Sequence, residues 1–128
     1  MTIAYWCVLV AALLPLIIVI VAKAGVQGDN HYPRDDVTHL PPRNRRAYAA
    51  HLNAYEAFPF FAAAVIIATT QGAASAVLNL LAAIYILLRI AHAGFYIADQ
   101  ATARSISFGL AWLVNIAIFL LPLFAASS

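Results

Sequence analysis

Arg43-Asn44-Arg45-Arg46-Ala47-Tyr48-Ala49-Ala50-His51-Leu52-Asn53-Ala54-Tyr55-Glu56-Ala57-Phe58-Pro59 runs without a turn signal into Phe60-Phe61-Ala62-Ala63-Ala64-Val65-Ile66-Ile67-Ala68. A cluster of arginines therefore opens a segment that ends as unbroken, membrane-grade apolar sequence. Asn53 and Glu56 then lie inside a spanning helix. An ionisable side chain at the centre of such a helix costs about 2.5–3.5 kcal/mol on insertion scales, so it is read first as functional and only then as packing.

The rest of the chain agrees with a membrane setting. Of its 128 residues 65% are hydrophobic and 9% charged, and the mean hydropathy is +0.89. Soluble domains carry about 25% charged residues, so composition alone points to an integral membrane protein, and the chain is expected to form one all-α domain. A formal net charge of +2 is too small to imply a nucleic-acid partner; the arginines belong to membrane topology. Cys7 is the sole cysteine, which excludes an intrachain disulfide and a paired-cysteine metal motif. The N-terminal segment lacks a positive n-region and a small-residue cleavage site, and is expected to stay as a helix.

Thr2 to Ala22 is uncharged, and about 21 residues at 1.5 Å each cover the roughly 30 Å of a bilayer core. Spans are expected at residues 2–22, 47–70, 76–98 and 104–126, making a four-helix bundle. Pro15 should bend the first of them. Asn44 is the expected N-cap of the second span, with Gly72 ending it, Ser75 opening the third and Pro122 kinking or ending the fourth. Between spans one and two, Lys23 to Arg46 carries Gly25, Gly28, Pro33, Pro41 and Pro42; it reads either as a solvated connector or as a functional lid. Lys23, Arg34, Arg43, Arg45 and Arg46 fall in this first loop and Arg104 in the third link, while the second loop and both termini hold no Lys or Arg. Positive loops stay inside, so loops one and three are expected to be cytoplasmic and both termini extracytoplasmic, in a cell inner membrane.

This topology brings polar residues together. Those of span two lie near its beginning and those of span three near its end, so antiparallel helices place both sets at one depth. At about 100° per residue Arg46, Asn53 and Glu56 share an arc of roughly 80° on span two, while His51 points elsewhere. On span three Tyr85, Arg89, His92, Tyr96 and Asp99 recur at helical spacing along one face, which must meet protein or water. Pro59 deprives the Tyr55 carbonyl of its helical partner, close to Glu56.

Glu56 could accept an ammonium group, while Arg46, Arg89 and Arg104 could fork onto carboxylates or stabilise a thiolate. With Arg46 and Arg104 at helix beginnings, free N–H groups and a cation would meet an anion together. The ligand these groups describe is zwitterionic with an anionic excess. Plainer readings stand beside this one. Glu56 and Arg89 could be only an ion pair tying two helices together, His92 a packing histidine, and Tyr85 and Tyr96 interfacial aromatics. No metal site is expected, because His51 is off the face that would join His92 and Glu56. The glycines and serines form neither a phosphate loop nor a nucleophile elbow. A small proton-coupled exporter is disfavoured, since the first span holds no titratable acid or base of the kind such a pump needs.

Three pieces, in this order along nearly the whole chain, carry a resemblance to a known family: His51-Leu52-Asn53-Ala54-Tyr55-Glu56 followed by Pro59, then Arg89-Ile90-Ala91-His92 with Tyr96, then Arg104-Ser105. The chain resembles the MAPEG family, membrane-associated proteins in eicosanoid and glutathione metabolism, and particularly its small bacterial members. The resemblance implies a homotrimer of four-helix subunits that binds glutathione between neighbours near the cytoplasmic face, with a hydrophobic small-molecule co-substrate entering from the bilayer. On that analogy Asn53, Glu56, Arg89, His92, Tyr96, Arg104 and Ser105 line the glutathione site, to which residue position adds Arg46. Arg104 or Ser105 would stabilise the thiolate for a transferase or peroxidase reaction. In better-known glutathione-using members further arginines stand just before the Asn and Glu, where this chain has Ala49, Ala50 and Leu52. The alternative to the enzyme is a non-catalytic member of the same fold that binds another small anionic or lipid-derived ligand.

Overall fold

The computed structural model describes residues 1–34 and 37–125. Four helices carry the fold: α1 (Ile3–Lys23), α2 (Pro42–Thr70), α3 (Ser75–Ile97) and α4 (Ala101–Leu120). Short 3-10 segments, Val37–His39 and Leu121–Phe124, sit in the first loop and after α4. All four helices are long and apolar enough to cross a membrane, the fourth when counted through Phe124. No strand occurs among the described residues, so the chain is an all-helical integral membrane protein. The expected end of the fourth span at Ala126 lies outside the described residues.

Two helix beginnings fall earlier in the chain than sequence reading placed them. α2 starts at Pro42 instead of Ala47, because the Pro41-Pro42 pair supplies an extended residue and then a helix-ready φ at the first position, where no N–H is needed. Asn44 therefore caps nothing in α2. Its amide turns back and donates to the Ala22 and Ala24 carbonyls at 2.9 and 3.1 Å, satisfying the end of α1. Arg46 consequently sits in the second turn of α2, and the Arg45 N–H already donates to the Pro41 carbonyl. The expected cradle of free N–H groups beside Arg46 does not form. Likewise α4 opens at Ala101, with Arg104 inside its first turn and the Arg104 N–H bonded to the Gln100 carbonyl. The link before it is tight enough to put Asp99 in the left-handed region, at φ 61°. Gly72 ends the α2–α3 hairpin at φ 80°, as its residue type allows.

The core is built from small residues that let helix backbones approach. Ala4, Ala11, Phe61, Ala64, Val65, Ala68, Leu78, Ala82, Tyr85, Ile86, Ala111 and Ile118 make one buried cluster, and Ile18, Ala50, Ala54 and Ala93 a second. Phe61 and Tyr85 stack nearly parallel, their centroids 4.0 Å apart, and lock α2 to α3. Pro15 is buried within an unbroken α1, and His51 donates from Nδ1 to its carbonyl at 2.7 Å. That bond places His51 on the α1 side of α2, away from Asn53. The outward faces are apolar: Ile20, Leu80, Leu87 and Leu113 are exposed by 70, 61, 67 and 64%, as expected of helices meeting lipid or further copies of the chain.

Candidate functional site

Antiparallel packing of α2 against α3 brings Arg46 and Asn53 to the α3 stripe as expected, but not Glu56. Arg46 Nε donates to the Ile97 carbonyl at 3.1 Å, fastening the beginning of α2 to the end of α3. About two turns deeper, Arg89 Nη2 donates to Asn53 Oδ1 at 2.6 Å. Arg89 is 4% exposed, so its partner matters: a guanidinium in this setting needs acceptors. The acceptor is the neutral amide.

Glu56 does not join them. It is exposed, and among the described residues it forms no ion pair, so the alternative of a helix-tying Glu56–Arg89 bridge is not realised. The reason is angular. Three residues further along, Glu56 lies about 60° round the helix from Asn53, enough to carry it from the α2–α3 seam to the outer surface of the bundle. Its carboxylate is left available to something outside this chain.

On α3 the stripe divides by depth. Tyr85, Arg89 and His92 are buried, Tyr96 is half-buried and Asp99 is exposed beyond the helix end. His92 is 2% exposed and packs edge-on against Tyr96, with ring centroids 5.7 Å apart, and against Phe108 of α4 at 6.0 Å. Its Nδ1 has no hydrogen-bond partner. Arg104 reaches back from α4 and holds its Cζ 4.7 Å from the Tyr96 ring centroid, a cation–π contact that joins the third and fourth helices. Ser105, the next residue round α4, is exposed. Arg104 and Ser105 thus face different directions, the first over the Tyr96 ring and the second out of the bundle.

The chemistry available is that of a half-open polar seam. Arg46 and Arg104 are half-buried cations at its mouth, Arg89 and His92 lie within, and Glu56 and Ser105 stand on its outer rim. This donor set fits a zwitterion carrying more than one carboxylate: the arginines for carboxylates, Glu56 for an ammonium and the unpartnered His92 nitrogen for a further polar contact. No group of three or more His, Cys, Asp or Glu side chains suited to a metal occurs among the described residues. A larger cavity, about 550 Å³, lies under the first loop between Lys23, Tyr32, Val37 and Tyr48; the loop residues Lys23, Gly28 and Pro33 line it, and none of the candidate glutathione-site residues does. Lys23 Nζ donates to the Pro33 carbonyl there at 2.6 Å, so one role of the loop is to fold over the end of α1.

Two participants on α4 were missed in the sequence, Phe108 against His92 and the buried Asn115. The signal existed: Ser107, Ala111, Asn115 and Ile118 are the buried residues of α4, spaced at helical intervals. A lone amide on such a stripe merits the same suspicion as a lone carboxylate.

A comparison with curated proteins finds no match. The family model for the MAPEG family matches residues 3–124. Nearly the whole of the described chain is therefore covered, including every helix and every residue of the polar seam, and the protein belongs to the MAPEG family of membrane proteins of eicosanoid and glutathione metabolism.

Proposed function

We propose that the chain is one subunit of a homotrimeric glutathione-dependent transferase or peroxidase acting on membrane-dissolved electrophiles or lipid hydroperoxides. The observation that carries this reading is the split of the polar seam: Arg89 is buried and held by Asn53 at 2.6 Å, while Glu56 and Ser105 look out of the protomer. Such a site is incomplete alone and is finished by a neighbouring copy. Arg46, Asn53, Glu56, Arg89, His92 and Tyr96 hold glutathione, and Arg104 or Ser105 of the same or the adjacent copy stands at the sulfur. Glutathione would supply a thiolate: at an electrophilic carbon its sulfur would displace the leaving group, and at a hydroperoxide it would break the O–O bond, releasing the alcohol and a sulfenic acid that a second glutathione converts to disulfide and water. A free thiol titrates near about 8.5 and is largely protonated at neutral pH, so an adjacent guanidinium raises the thiolate fraction. In the native membrane, loops one and three face the cytoplasm and both termini face outward.

A second reading rests on Ala49, Ala50 and the exposed Leu52, which stand where the resemblance to glutathione-using members implies arginines. With fewer positive charges the same seam would suit a smaller anion or a lipid-derived ligand, without turnover. Calorimetry with glutathione on the purified protein separates the two. Binding, together with turnover of an organic hydroperoxide or an aromatic electrophile that Arg104→Ala abolishes while assembly persists, supports the enzyme. Neither binding nor turnover in the wild type leaves the non-catalytic reading.

A further inference from the structure

We infer that the crevice between α2, α3 and α4 is a binding site for one neutral hydroxyl group. Ala57, Tyr85, Arg89, Ala111, Trp112 and Asn115 line it, and its volume of about 10 Å³ admits a single water-sized oxygen. Asn115 is 6% exposed and its Oδ1 receives no hydrogen bond. An amide oxygen buried at membrane depth needs a donor. Arg89, 4% exposed in the same wall, has only donors, one of them taken by Asn53. The Tyr85 hydroxyl stands in the same wall and bonds to neither of them among the described residues, so an occupant that gives a hydrogen bond to Asn115 and accepts one from Arg89 satisfies both.

This pair of requirements selects the chemistry. A carboxylate, ether or carbonyl has no hydrogen to give Asn115. An ammonium has no lone pair for Arg89 and would meet its charge. A hydroxyl does both. It can come from water or from the –OH or –OOH terminus of an apolar chain. Trp112 leads outward from the crevice: it is 37% exposed and packs against Phe60, itself 58% exposed, with ring centroids 5.3 Å apart. An aliphatic tail has an aromatic surface to lie on there. Arg89 is shared with the neighbouring seam, whereas Glu56, His92 and Arg104 take no part in the crevice, so a hydroxyl can be held here whether or not glutathione is the ligand of that seam.

Trp112 is also the reporter. In a Trp6→Phe background it is the only tryptophan, and the full chain can be titrated in amine-oxide micelles, which carry no hydroxyl, with 1-dodecanol and with dodecane. A saturable change in Trp112 emission with the alcohol alone, weakened tenfold or more by Asn115→Leu, assigns the site to a lipid hydroxyl. No response to the alcohol, combined with a nuclear Overhauser cross-peak from a long-lived water to the Asn115 amide, assigns it to water. Equal responses to alcohol and alkane, an alcohol response that survives Asn115→Leu, or neither alcohol response nor water cross-peak overturns the inference. Should Asn115→Leu fail to fold, Ala57→Leu fills the crevice from another helix and is expected to abolish the same signal. Glutathione calorimetry on the same samples reads the neighbouring seam separately, so either idea can fail alone.

Discussion

Replacing Asn53 by alanine removes the one side-chain acceptor that the structure gives Arg89. Ordinary interhelical hydrogen bonds in a bilayer contribute about 0.6 kcal/mol on average and up to about 1.7, because the unfolded chain in the membrane also finds partners. The Arg89–Asn53 bond has a charged donor, a 2.6 Å length and a donor residue only 4% exposed, which places it among charge-assisted bonds at about 1.5–3 kcal/mol. Full abandonment of a buried charge would cost about 3–5 kcal/mol, but the hydroxyl inferred in the crevice beside Arg89 offers another acceptor. Asn53→Ala should therefore destabilise by about 2 kcal/mol, roughly thirtyfold in the unfolding equilibrium. The assay is reversible unfolding of the purified chain in mixed micelles with increasing sodium dodecyl sulfate, at fixed protein concentration, followed by circular dichroism. Arg89→Met and the double variant complete a cycle. The apolar Ala–Met pair leaves no buried charge without an acceptor and should recover most of the loss, giving a coupling of about 2 kcal/mol. A coupling below about 0.5 kcal/mol would refute the argument, since it would mean that the guanidinium is satisfied without α2.

Other expectations are more local. Phe61→Ala, at a residue fully buried and stacked on Tyr85, should cost about 3–5 kcal/mol in the same unfolding assay; a loss under 1 kcal/mol would argue against this α2–α3 contact. Asn44→Ala removes the bonds to the Ala22 and Ala24 carbonyls and should cost about 1 kcal/mol, seen as faster proteolysis of the first loop without loss of the four helices. Arg104→Ala should eliminate glutathione-dependent turnover while leaving size-exclusion behaviour unchanged. Reporters active on one side of the membrane only, fused after the last residue, should light up outside the cytoplasm; a cytoplasmic signal would invert the orientation.

Much of the architecture was legible in the residues. Four apolar stretches set four spans, and the period of the polar residues on the third predicted that Tyr85, Arg89 and His92 would turn inward together. Helix starts were less legible. Asn44 has the right residue type for an N-cap, but Pro41-Pro42 upstream could already begin the helix, and nothing local says that an asparagine will serve a different helix. The spacing of Ser107, Ala111 and Asn115 marks an inward stripe on α4, but only packing decided that the Asn115 oxygen would meet no donor there.

Angular spacing along a helix places Arg46, Asn53 and Glu56 within one arc, and the sequence by itself determined that arc, the antiparallel sense of the helices and the membrane setting. Which degree of the arc met a neighbour was decided only when the helices packed. Asn53 fell on the seam and took Arg89, while Glu56, about 60° away, fell outside it. Hydrophobic periodicity fixes a face to roughly the width of a side chain. Whether a carboxylate at the edge of that face is buried or free depends on how closely two helices approach, and that depends on buried alanines such as Ala50, Ala54 and Ala93 touching across a contact that no single helix encodes.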